Sequence, residues 1–381
     1  MRTLLWILVV IILIFIGFSI FQNQTPKEAD ITGPVKIGVL LPLTGDAAIY
    51  GEPMRNVVQL AADEINKAGG INGQPLELIF EDAKCSGKDA VSAMQKLVNV
   101  DKVEVVLGGF CSSESLSAVP IAELEKVFLL SGGSSSPDLT GISKYFARNY
   151  PSDSTQGTIL ADIAYQDKGW REVAFIMEQL DYPLGIYNSF SSRFEELGGE
   201  VTKEEFPAEA TDFRTILTKI KALDADAVFV DTQTASSAAR IFKQMSELDF
   251  QPALLLSDAI SGDIPTVGEH KAILEGALAA EFGIDEDNPK FQNLIASYRT
   301  TYNVEEVPYQ SYSQTVYDAV YMIADAVGEV GYDGEKIAGW FAKVKNWEGA
   351  SGSITLKNGD PVAGHVPKVI KDGKVELYEK S

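Results

Sequence analysis

The sequence predicts an α/β fold built as two doubly wound parallel-sheet lobes. Three observations carry this. From Val35 onward, continuous apolar strands alternate with segments of helical period, the signature of βαβ units and a parallel sheet. After "YFARNYPSDSTQG" the alternation starts again over a stretch of similar size. At 381 residues the chain exceeds what one hydrophobic core usually supports.

"VKIGVLLPL" opens the first lobe as an apolar strand running into a Pro, Thr, Gly loop. "GEPMRNVVQLAADEINKAGG" follows as an amphipathic helix, with Val57, Leu60, Ala61 and Ile65 on one stripe and glycines closing it. "PLELIFED" is a strand, "KDAVSAMQKLVNV" a helix, "VEVVLGG" a strand and "SESLSAVPIAELEK" a helix. "VFLLSGGSSS" reads as the fourth strand. The second lobe begins with the helix "QGTILADIAYQDKG" and the strand "EVAFIME". A helix before "ELGGEV" and a short strand around "VTKEEF" come next. They lead to the helix "DFRTILTKIKAL", the strand "ADAVFVDT", the helix "ASSAARIFKQMSEL" and the strands "PALLLSD" and "GALAAEF". Helices at "NPKFQNLIASYRTTYN", "SYSQTVYDAVYMIADAVGEVG" and "KIAGWFAKV" follow. The closing β pieces carry hairpin turn signals at Asn358-Gly359-Asp360 and Asp372-Gly373-Lys374.

The first 32 residues stand apart. Residues 4–21 form an apolar run of 18 behind a single Arg2, about 27 Å if helical and close to a bilayer's hydrocarbon core. An uncleaved signal anchor and a cleaved signal peptide both fit, with "QNQTPKEADITGP" as a tether. Both readings place the folded part outside the cytoplasm, in the periplasm or at the cell surface. There, Cys85 and Cys111 are either a disulfide or two buried thiols; a bridge would contribute roughly 3 to 4 kcal/mol on the chain-entropy model.

Composition excludes several function classes. A net charge of −22 argues against nucleic acid, which needs clustered Lys and Arg. His270 and His365 have no partner at ligand spacing, so neither a metal site nor a histidine-based nucleophile is expected. No Walker loop and no GxGxxG after a strand is present, so no enzyme and no cofactor is predicted.

In open parallel sheets, ligands bind outside the carboxyl ends of the strands. The loops there are "PLTGDAAIYG", "EDAKCSG", "GGFCSSES" and "SGGSSSPDL", rich in small and hydroxyl residues. Ser112, Ser113 and Ser115 fall where a strand turns into a helix. That position suits an anion, and it equally suits an ordinary serine N-cap.

From residue 35 to its end the chain resembles the type I periplasmic binding proteins of the leucine/isoleucine/valine-binding class, the solute receptors of ABC importers. The marks are "IGVLLPLTG", "YG", "AADEINKAGGINGQPLEL", "GGFCSSES", "SGGSSSPDLT", "YFARNYPSDSTQG" and "YDAVYMIADAV". The resemblance implies a three-strand hinge with crossings near 149–153, 280–284 and 359–364. The N-lobe would then comprise 33–150 and 283–358, and the C-lobe 151–282 and 359–381. It implies a Cys85–Cys111 disulfide that pins the loop before Ser112. It further implies ligand contacts from Ser112, Gly133 and Ser135 to a carboxylate and from Asp258 to an ammonium. Tyr50 and Tyr182 would form walls, with Phe110 a further candidate. Packing roles for the tyrosines and helix capping by Ser112, Ser135 or Asp258 are the alternatives.

Two departures from the family pattern leave the side-chain specificity open. Gln233 in "FVDTQTASS" stands where relatives carry an aromatic residue, and Glu114 falls in a stretch that is usually neutral. Both allow a more polar ligand. The resemblance therefore implies a receptor for an amino acid, branched-chain or similar, serving an ABC permease in the membrane, monomeric by default. A ligand-sensing ectodomain, or a receptor for an amide, urea or an aromatic acid, are the other readings.

Overall fold

The computed structural model describes residues 33–380. The apolar segment and tether read from residues 1–32 lie outside the described residues.

The first sheet holds β1 (Val35–Leu41), β2 (Leu76–Asp82), β3 (Val105–Leu107), β4 (Phe128–Ser131) and β5 (Phe146–Arg148). Its order is β2-β1-β3-β4-β5 and every neighbouring pair is parallel. The crossovers are α1 (Ala48–Lys67), α2 (Gly87–Asn99) and α3 (Ser112–Glu125). α2 starts where the Ser86 hydroxyl accepts the Asp89 N–H. β5 was not anticipated: its three residues are too short to show a period, and only their pairing with β4 defines them.

The second sheet takes β6 (Glu172–Glu178), β7 (Glu200–Phe206), β8 (Ala227–Asp231), β9 (Ala253–Leu256) and β10 (Leu278–Phe282). Around it lie α4 (Asp153–Asp162), α5 (Asp181–Glu196), α6 (Arg214–Leu223) and α7 (Ala235–Glu247). Three short helices follow: α8 (Asp258–Ser261), α9 (Ile264–Glu269) and α10 (Lys271–Leu274). The chain then returns to the first sheet as α11 (Pro289–Tyr302), α12 (Gln310–Val330) and α13 (Gly334–Phe341). Two small hairpins succeed them, β11 (Trp347–Gly349) with β12 (Gly352–Ile354) and β13 (Leu356–Lys357) with β14 (Asp360–Pro361). Finally β15 (His365–Lys371) and β16 (Lys374–Leu377) join the second sheet antiparallel, giving the order β16-β15-β10-β9-β8-β6-β7.

Each sheet is covered on both faces, as a parallel sheet requires. Along β1, Val35, Ile37, Val39 and Leu41 enter one core, which α11, α12 and α13 complete, while Leu40 enters the opposite one. The second sheet repeats this: Ala174 and Ile176 pack on one side, Val173, Phe175 and Met177 on the other. Ile370 and Val369 of β15 join those two cores. The two predicted hairpin turns form with both central residues at positive φ: Asn358 at 53° and Gly359 at 82°, Asp372 at 51° and Gly373 at 75°.

Between the sheets the chain passes three times: after Arg148, after Phe282 and after Pro361. We propose these passages as the boundaries between an N-lobe around the first sheet and a C-lobe around the second.

Candidate functional site

The carboxyl ends of the two sheets face each other. On the N-lobe side, α3 begins at Ser112 directly after Cys111, which is bonded to Cys85 with Cα atoms 5.3 Å apart. Ser112 is thus the first helical residue and not the cap. Its hydroxyl oxygen accepts the backbone N–H groups of Ser135 and Ser136 at 3.3 and 3.1 Å, joining the "CSS" turn to the "GGSSS" loop. The cap is supplied by Glu114, whose carboxylate accepts the N–H of Cys111 at 3.0 Å and of Cys85 at 2.7 Å. Burial pushes the Glu114 carboxyl up to about 8 against these backbone donors. Glu114 does not line the cleft, so its unusual charge serves the disulfide loop and leaves the pocket unchanged.

The second loop is held from behind. Arg148, fully buried at the end of β5, forks onto Asp360 with Nε to Oδ1 at 2.7 Å and Nη2 to Oδ2 at 3.0 Å. Its Nη1 donates to the carbonyls of Ser136 at 2.8 Å and Ser134 at 3.3 Å. Gly133 sits where a Cβ would meet the Phe110 ring at 2.6 Å, so the loop can lie flat against that ring only as glycine. The Gly133 N–H itself reaches the Ser131 hydroxyl at 3.3 Å.

Across the gap, Asp258 opens α8, with Ser257 in the capping position. Its carboxylate accepts three tyrosine hydroxyls. Tyr150, at the first passage between lobes, reaches Oδ2 at 2.6 Å. Tyr312 on α12 reaches the same oxygen at 2.8 Å, and Tyr182 on α5 donates to Oδ1. Burial, and next the Asp258 charge, push all three phenols well above their ordinary value, so they remain donors. Tyr50 crosses the gap as well: its hydroxyl faces the carbonyls of Gln233 at 3.2 Å and Ala259 at 3.3 Å. Gln233 is buried, its N–H bound to Glu178 at 2.9 Å and its side-chain Oε1 without a partner.

Together Tyr50, Phe110, Ser112, Gly133, Ser135 and Tyr182 line one closed space with Gln233, Ala259 and Tyr312. The lobes leave about 10 Å³ of water-accessible volume there, about the room of one water. Asp258 stands behind this lining, at the centre of the tyrosine hydroxyls. Further acids flank it on the carboxyl edge of the second sheet. Asp153 and Asp231 are fully buried with both carboxylate oxygens unpartnered. Burial first, and the Asp258 charge in addition, push both well above the usual carboxylate range.

This arrangement pairs a neutral, donor-rich lobe with a strongly acidic one. The family pattern described as periplasmic binding protein matches residues 34–366. The chain belongs to the periplasmic binding protein family. It is 30% identical over 70% of its length to an amino acid binding protein of Pseudomonas aeruginosa, of which 71% is covered. A leucine-, isoleucine-, valine-, threonine- and alanine-binding protein of the same organism is 27% identical over 80% of this chain and 81% of its own. Among solved structures, the branched-chain amino acid transporter substrate binding protein of Streptococcus pneumoniae, in complex with isoleucine, superposes with a TM-score of 0.81. It is 28% identical and covers 91% of this chain and 99% of its own.

Within this periplasmic binding protein the structure adds residues that the sequence did not single out. Tyr150 and Tyr312 lie 108 and 54 positions from the aspartate they hold, and no local pattern marks them. Arg148 is equally silent, because its partner Asp360 is 212 residues away. "YFARNYP" and "YQSYSQ" differ from ordinary strand and helix starts only in their tyrosines.

Proposed function

We propose that this chain is the extracytoplasmic receptor of an ABC importer and binds an amino acid by closing its two lobes. One observation carries the reading: Ser112, Gly133 and Ser135 of the first lobe line a closed space with Tyr182 and Tyr312, whose hydroxyls donate to the Asp258 carboxylate of the second lobe just behind that lining. The Ser112 and Ser135 groups and the Gly133 backbone would hold the ligand carboxylate by charge-assisted hydrogen bonds. Asp258 would take the ammonium, partly displacing the tyrosine hydroxyls that now surround it. A ligand gripping both lobes favours the closed state by its differential affinity for it. The names of the relatives from Pseudomonas aeruginosa and Streptococcus pneumoniae support an amino acid, and no bond-breaking step is invoked.

Calorimetric titration of the full chain with the twenty amino acids, urea, simple amides and aromatic carboxylic acids tests this. Saturable binding confined to one group of amino acids is the expected result. Binding only of compounds that lack a carboxylate would overturn it. A second reading, an aromatic acid, draws on Tyr50, Phe110, Tyr182 and Tyr312 in the lining; it predicts heat from aromatic acids that have no amino group.

A further inference from the structure

Beside the closed space runs a second, larger one that none of the predicted site residues lines. It is a groove of about 1210 Å³ between the lobes, above the roughly 300–1,000 Å³ of common ligand pockets. Ile49, Val307 and Pro308 wall it on the N-lobe side, and Ile264, Val375 and Leu377 on the C-lobe side. Ile49, Ile264 and Leu377 are exposed, which is unusual for three large aliphatic side chains around one cavity. The groove touches the inner space through one wall: the rings of Tyr309, which lines it, and Tyr50 are 4.7 Å apart.

Its charge is one-sided. Asp263, Glu269, Glu281, Asp285, Glu286 and Glu306 line it against the single cation Lys368. Asp263 is committed, one oxygen capping α9 at Thr266 and the other accepting the Tyr309 hydroxyl at 3.2 Å. Glu281 is not. It is only 8% exposed, and its Oε1 has no hydrogen-bond partner. Burial raises its proton affinity, with the nearby Ser261 hydroxyl and then the Lys368 charge opposing. A buried carboxylate with no ion-pair partner is costly unless a cation meets it. Among the described residues no group of acids, His or Cys is placed to hold a metal ion. The exposed aliphatic walls beside this carboxylate fit a cationic head on an apolar body better than a bare metal ion.

We propose that the groove is a second ligand site, taking an organic cation with an apolar body. Its ammonium meets Glu281 and its chain lies along Ile49, Ile264 and Leu377, so that it touches both lobes. This holds whichever solute the inner space takes.

The probes are n-hexylammonium chloride, hexan-1-ol and sodium hexanoate, titrated into the full chain by calorimetry. Hexylammonium binds, and the alcohol and the carboxylate bind at least about tenfold more weakly. Glu281→Gln weakens hexylammonium by at least about tenfold, as loss of a buried charge partner does. Ile264→Arg, on an exposed position that leaves the core untouched, abolishes it and keeps the test valid if the Glu281 variant misfolds. No heat from hexylammonium at millimolar concentration, equal binding of all three probes, or wild-type affinity in both variants would overturn the proposal.

Discussion

Asp258 shows how one residue takes its surroundings from remote neighbours, three tyrosine hydroxyls among them. Removing its charge while keeping its shape, as in Asp258→Asn, leaves an oxygen for the tyrosine hydroxyls but none of the attraction for an ammonium. Amino-acid affinity should fall by at least about 2 kcal/mol, roughly thirtyfold. Calorimetry reads this directly, and an unchanged dissociation constant would remove Asp258 from the site. The sequence could single out this aspartate because it follows an apolar strand in "LLLSDAIS" and resembles a family position. It could not place Tyr150 or Tyr312, whose only distinction is where the folded chain brings them. Glu114 was visible as an odd charge, yet its meaning was not. A carboxylate that caps a helix and holds two half-cystine N–H groups reads the same in sequence as one that faces a ligand.

At the scale of elements, legibility followed length and period. α1 and the long α12, with their continuous apolar stripes, were evident. So were the two hairpins, because Asn-Gly and Asp-Gly suit the positive φ that their turns demand. β5 escaped because three residues carry no periodicity. The fit of α5 against the other lobe was equally invisible. Its Gly185 comes so close that an added Cβ would lie 2.6 Å from the Pro137 ring and 3.3 Å from the Ser136 hydroxyl. A proline ring cannot swing aside as a flexible side chain would. Gly185→Leu should therefore wedge the lobes apart without disturbing either core. Small-angle scattering should find the ligand-saturated variant at the larger radius of the open form, with affinity reduced about tenfold or more. A variant that closes like the wild type would show that this contact does not limit closure.

Considered whole, the molecule sets a lobe of neutral donors against a lobe whose strand ends carry buried acids. Asp153, Asp231 and Glu281 are all raised by burial, so the folded chain holds protons that the unfolded chain releases above the ordinary carboxylate range. These groups make stability fall as pH rises from that range through their raised values. His365, pushed down to about 4 by burial, acts oppositely but only between about 4 and its ordinary value, and is neutral above that. Ligand charge enters the same balance. An ammonium beside Asp258 lowers the proton affinity of Asp153 and Asp231, whereas an aromatic carboxylate without an amino group raises it. Across the raised range in which these acids titrate, amino-acid binding should then release protons and strengthen as pH rises, and binding of an acid alone should take protons up. Titrating the same ligand in phosphate and in Tris, whose ionisation heats differ widely, separates the two by the sign of the buffer-dependent heat. Proton uptake with an amino acid would mean that its ammonium settles away from the acidic lobe, and the assignment of the two lobes to the two ends of the ligand would fail.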